Sequence, residues 1–196
     1  MVMILFDRFF LFCLLLVIAL APLPLGSNRP ASWSLLALVI GGLVVAWGLL
    51  ASVRPTMFRL QGRDAIWPAA LWSLLIGWLL LQSGGPEVLW HPLWDIAGTG
   101  LPDGVEGAIS VAPFDTGTSA MRLLAYGGIF WLAVQTGRDS SNAHVLSLGV
   151  LLTGLFYAVW GLLNEILGTD SILWFEKWAY LDALTSTFVN RNSFAT

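Results

Sequence analysis

Charge is what this chain has least of. Of its 196 residues only 11% are Asp, Glu, Lys or Arg, while 57% are hydrophobic. A water-soluble domain carries about 25% charged residues, so a water-facing surface cannot be covered here. Cysteine is nearly absent as well. Cys13 stands alone in an apolar run, which excludes an internal disulfide and a cysteine-based metal site. It reads as a small packing residue. The nine Lys and Arg are scattered and form no basic stripe, which excludes a nucleic-acid binder, and the net charge of −3 says little about partners. The motifs of soluble enzymes are missing: there is no P-loop, no His-Glu-x-x-His and no Gly-x-Ser-x-Gly. Gly98-x-Gly100 lacks the third glycine of a dinucleotide fingerprint and follows no strand.

What is present is apolar sequence in long blocks. A hydrocarbon core of about 30 Å takes roughly 20 helical residues to cross. Five stretches are long enough: 9–25 (closed by Pro22 and Pro24), 31–52, 65–82, 119–136 and 143–164, with a sixth starting near Asn192. The expected fold is therefore all-α, a polytopic transmembrane helix bundle of about five complete spans plus the start of a sixth. It forms one membrane domain over residues 1–196. Eleven Trp fit this, because Trp favours the membrane–water interface.

Orientation follows from Lys and Arg in the short loops. Arg8, then Arg54, Arg59 and Arg63, then Arg138 all fall on one side if the N-terminus is cytoplasmic. The loop 83–118 falls on the other side. It holds Glu87, Asp95, Asp103, Glu106 and Asp115 and no Lys or Arg. The segment 165–191 shares that outer side. Arg8, an apolar stretch and Ala19-Leu20-Ala21 imitate a cleavable signal peptide. Pro22 and the spans that follow favour an uncleaved helix, and cleavage would leave the rest of the topology unchanged.

Neither outer segment is a plain linker. Trp90 and Trp94 flank Pro92, and Trp174, Trp178 and Leu181 recur at helical spacing among Glu176, Lys177 and Asp182. Both read as short interfacial helices in the outer loops. Small residues four apart offer helix contacts: Ala37 with Gly41, Gly42 with Ala46, and Gly154 with Ala158. They serve equally well as plain helix filling.

Few side chains invite chemistry. His144 reads as an interfacial residue and His91 as a solvated loop histidine, with proton transfer the sharper alternative for His91. The loop carboxylates read as solvating groups, although such groups can pair as acid and base. Arg122 lies just inside the outer end of the fourth span, where positive charge is disfavoured. Either it snorkels to lipid headgroups, or it lines a cavity and grips an anion such as pyrophosphate with its planar fork. Arg191 stands between Asn190 and Asn192 where the sixth span begins. There an Asn can cap the helix, and the free N–H groups of a helix start can hold an anion. The two roles are compatible.

At these residues the chain resembles a known family. Ser186-Thr187-Phe188-Val189-Asn190-Arg191-Asn192-Ser193-Phe194-Ala195 is similar to the G-T-F-x-N-x-N-x-F-A segment of the O-antigen ligase family, which includes polymerase-like and protein-glycosylating relatives. Ser186 stands where Gly is common, and Ser193 where many members carry His. Pro22-Leu23-Pro24-Leu25-Gly26-Ser27-Asn28-Arg29-Pro30 resembles the family's first outer turn. Ile109-Ser110-Val111-Ala112-Pro113-Phe114-Asp115-Thr116 and Arg122-Leu123-Leu124-Ala125-Tyr126 resemble the approach to its fourth helix.

The resemblance covers the whole chain as the N-terminal part of a longer protein. It implies a bacterial inner-membrane glycosyltransferase. Such an enzyme moves a glycan from undecaprenyl pyrophosphate to lipid A–core or a similar acceptor on the periplasmic side, without cofactor or metal. The catalytic base is expected downstream, so this part alone is expected to be inactive. Arg191 and Arg122, with Asn190 and Asn192, are the candidate contacts to the lipid-linked glycan. Two rivals remain: a polysaccharide polymerase on the same lipid carrier, and a non-enzymatic transporter or scaffold.

Overall fold

The computed structural model describes residues 2–23, 29–58, 62–99, 105–168, 171–172, 175–176 and 186–187. The helices are α1 (Val2–Leu20), α2 (Pro30–Val53), α3 (Gly62–Gln82), α4 (Leu93–Gly98), α5 (Pro113–Gly137) and α6 (Ser140–Ile166). Single 3₁₀ turns cover Pro55–Met57 and Glu87–Leu89. The only strands among the described residues are β1 (Ser171–Ile172) and β2 (Phe175–Glu176), two residues each, paired antiparallel, so the start of the second expected interfacial helix is a tight hairpin instead, its backbone groups pairing across two short strands. Among the described residues, three helical segments are long and apolar enough to cross a membrane: Pro30–Val53, Ala65–Gln82 and Ser140–Ile166. Helices α1 and α5 occupy the places of the first and fourth expected spans.

Local chemistry sets the ends. Helix α1 stops at Leu20 because Ala21 precedes Pro22, and a residue before proline avoids the helical region. Helices α2 and α5 each begin on a proline, whose missing N–H is not needed at a first helical position. Asp115 in the first turn of α5 favours the positive end of the helix dipole. As a result α5 begins well before position 119, the expected start of the fourth span. The Asp139 carboxylate caps α6, accepting from Ser141 N at 3.0 Å and Asn142 N at 3.2 Å.

Among the described residues the helices carry exposed apolar faces. Trp67, Leu71, Leu74 and Trp78 form an exposed stripe down α3, and Leu35, Leu38, Val45 and Leu49 are exposed on α2. Leu148, Leu151, Leu155 and Leu162 do the same on α6. A water-soluble monomer rarely exposes apolar patches of this extent. A bilayer is the solvent that suits them.

The chain divides into two compact units, Met1–Arg59 with Gly128–Thr196, and Leu60–Gly127, so the boundary falls inside α5. In the first unit Phe10, Leu14, Trp47, Ala51, Met57 and Leu132 form the core. Trp47 meets Phe58 and Trp131 edge-on at centroid distances of 4.9 and 5.7 Å. The guanidinium of Arg54 lies 5.2 Å over the Phe6 ring. This contact brings the start of α1 to the end of α2, so these two helices run antiparallel. Leu15 meets Gly149, and Tyr157 Oη donates to Ala19 O at 2.6 Å, so α1 and α6 run parallel.

The glycines of the small-residue pairs do not make these contacts, although Ala46 packs against the core. Among the described residues, no atom beyond the helix's own backbone lies within 4 Å of where a Cβ would sit at Gly41, Gly42 or Gly154. The close approaches fall at Gly128, where a Cβ would lie 2.8 Å from Ile40 Cγ2, and at Gly149. In the second unit α3 and α5 run antiparallel, with a Cβ at Gly127 falling 2.8 Å from the Trp72 indole.

Candidate functional site

The described part of the Asn-Arg-Asn string is its beginning, in the first unit. Ser186 and Thr187 are almost fully enclosed, at 6% and 0% exposure. Ser186 has φ of 48°, in the left-handed region where a side chain is disfavoured. Its Oγ donates to Tyr157 O on α6 at 2.8 Å. On the same residue the phenol Oη donates to Ala19 O. That carbonyl is in the last turn of α1 and lacks a helical partner. Tyr157 thus ties α1 to α6 through its ring and holds Ser186 through its backbone. This happens at the end of the unit remote from the Arg54–Phe6 contact. Thr187 Oγ1 is enclosed with no hydrogen-bond partner.

Asn190, Arg191 and Asn192 lie outside the described residues, as does most of the segment 165–191 beyond Gly168. Arg122 belongs to the second unit. It is half-buried on α5, and its Nε is enclosed.

The described parts of the acidic loop, 83–99 and 105–112, form a folded element of the second unit. Ser110 N donates to Gln82 O at 2.9 Å and Ile109 N to Gly84 O at 3.2 Å, which draws the far end of the loop onto the last residues of α3. Both indoles point into it. Trp90 Nε1 donates to Gly85 O and Trp94 Nε1 to Ser110 O, each at 3.1 Å. Gly107 lies flat on the Trp90 ring, where a Cβ would fall 2.5 Å from Cε3. The tryptophans of this loop therefore staple it together, with their N–H groups satisfied inside.

His91 has a structural role. Its backbone N–H donates to Ala108 O at 2.9 Å, and its Nδ1 accepts from Leu93 N at 3.2 Å at the start of α4. A ring nitrogen used as an acceptor in this way orients the imidazole. His144 is exposed at the start of α6. Glu87, Asp95, Glu106 and Asp115 are exposed, and Asp103 lies outside the described residues. Among the described residues no group of three His, Cys, Asp or Glu is arranged to hold a metal.

Sequence reasoning passed over Tyr157, whose phenol and carbonyl join three segments. An aromatic hydroxyl amid apolar α6 was the available signal, since a buried Tyr hydroxyl takes a partner. No protein-family model, curated protein or solved structure matches the chain.

Proposed function

We propose that this chain is the N-terminal part of an O-antigen ligase-like membrane glycosyltransferase. The enzyme takes a glycan from undecaprenyl pyrophosphate and passes it to lipid A–core or a similar acceptor at the outer face of the bacterial inner membrane. The observation that carries this reading is the string from Ser186 to Ala195, with Arg191 between two amides. Its leading residue supports the likeness in a physical way. Ser186 has a left-handed backbone, the conformation that suits the glycine common at that position of the family.

In this reading the chain makes five crossings, with the N-terminus cytoplasmic and a sixth span starting near Asn192. Helix directions agree with that alternation. Within the first unit α1 and α6 run one way and α2 the other, and within the second α3 opposes α5. The end of the first unit that holds Arg54 is the cytoplasmic one, and Arg8 and Arg138 belong to the same side.

The Arg191 guanidinium contacts the pyrophosphate of the donor and stabilises charge on it as the glycosyl bond breaks. Asn190 and Asn192 add neutral donors beside it, and Arg122 is a further candidate cation. The base that takes the acceptor hydroxyl proton belongs to the part of the enzyme that follows.

The test is Arg191→Ala in the intact gene, with glycan on lipid A–core read by gel. Transfer falls by about 10²-fold or more if one charge-stabilising contact is lost. Unchanged transfer overturns the role. Accumulation of single-repeat chains in the deletion strain would instead identify a polymerase.

A further inference from the structure

We propose that the loop after α3 inserts into the lipid surface through aliphatic side chains, with its tryptophans turned inward. This inference rests on the membrane placement of α3 and is independent of the transferase reading. Val88, Leu89, Leu93 and Ile96 are exposed, Val88 at 87% and Ile96 at 73%. They lie on the 3₁₀ turn Glu87–Leu89 and on α4. At 3.6 residues per turn, Leu93, Ile96 and Ala97 share one side of α4. Trp94 and Gly98 share a second side, which the bond from Trp94 Nε1 to Ser110 O turns into the loop. Asp95 takes the third, away from the aliphatic side.

Bilayer lipid, rather than protein, is the occupant that the surroundings favour. Ala65–Gln82 is apolar enough to cross a membrane, and Gln82 O accepts directly from Ser110 N. The loop is thereby held at the height of the helix end, where hydrocarbon gives way to headgroups. The exposed stripe of α3 is itself apolar up to Trp78, so the helix that anchors the loop presents an apolar surface close to the loop. With Glu87, Asp95 and Glu106 and no cation in the loop, attraction to anionic headgroups is not the driving force. Insertion proceeds on zwitterionic lipid, by apolar burial.

The experiment places a nitroxide label at Val88→Cys, Ile96→Cys, Glu87→Cys or Asp95→Cys in a Cys13→Ala chain, reconstituted in phosphatidylcholine vesicles. All four positions are exposed, so labelling leaves the fold intact. Collision with apolar oxygen is compared with collision with a water-soluble nickel chelate. Labels at 88 and 96 report depths of about 5–10 Å below the headgroups, and labels at 87 and 95 report water. Nickel access at all four positions overturns the proposal, because the loop then stands in water. Shielding of 88 and 96 from both reagents overturns it too, since protein then covers that side. Oxygen-rich readings at 87 and 95 as well would refute the division into faces.

Discussion

Replacing Ser186 separates two opposed effects at one residue. Its left-handed backbone, at φ of 48°, costs a side-chain-bearing residue about 1–2 kcal/mol. Glycine escapes that cost but loses about 0.4–1 kcal/mol through the greater freedom of the unfolded chain. Glycine should therefore exceed alanine here by about 1 kcal/mol. The bond from Ser186 Oγ to Tyr157 O, at 2.8 Å and enclosed, contributes about 1 kcal/mol to the serine form.

Ser186→Ala loses the bond and keeps the strain, so it should be less stable by about 1 kcal/mol, or roughly five-fold in the folded-to-unfolded ratio. Ser186→Gly loses both and should remain close to the parent. Equilibrium unfolding of the purified protein in mixed micelles of rising dodecyl sulfate content, followed by tryptophan fluorescence, measures the three. Alanine as stable as serine would refute the hydrogen bond. Glycine no better than alanine would refute the left-handed backbone, and with it the physical link to the family's glycine.

Thr187→Val replaces an enclosed hydroxyl that has no partner with a methyl of similar shape. It should stabilise the protein by about 1 kcal/mol in the same unfolding assay, and a loss of that size would mean the hydroxyl is bonded. Gly154→Ala and Gly128→Ala form a contrasting pair. Both gain up to about 1 kcal/mol of helix propensity. At Gly128, however, the new methyl meets Ile40 Cγ2 at 2.8 Å and Val44 Cγ2 at 3.0 Å. Overpacking of this kind costs about 1–3 kcal/mol, so the Gly128 variant should fall below the Gly154 variant by that margin. Equal stability would contradict the packing of α5 on α2.

Hydrophobicity alone sets the class of this protein. A chain with so few charges and such long apolar blocks has only lipid as a suitable solvent, and helices are what satisfies the backbone there. The spans at 31–52 and 65–82 lie close to their helices because composition alone marks them. The start of α5 was written in Pro113 and Asp115, yet a hydrophobic window passes over both.

What the sequence could not decide was which residues meet. Ala37-x-x-x-Gly41 and Gly154-x-x-x-Ala158 have the spacing of contact motifs, but spacing gives only a shared helix face. It does not say whether another helix lies against that face, and Gly128 and Gly149 carry the close approaches instead. The same limit held for Trp90 and Trp94, whose types and spacing mark only a short interfacial element. Only the fold of the loop turned their N–H groups onto Gly85 O and Ser110 O and left Val88 and Ile96 outside. The motif from Ser186 to Ala195 was legible as a pattern of residue types. That Ser186 adopts a left-handed backbone held by Tyr157, some thirty residues earlier, depended on tertiary structure, because a φ angle and a long-range hydrogen bond are set by what the chain packs against.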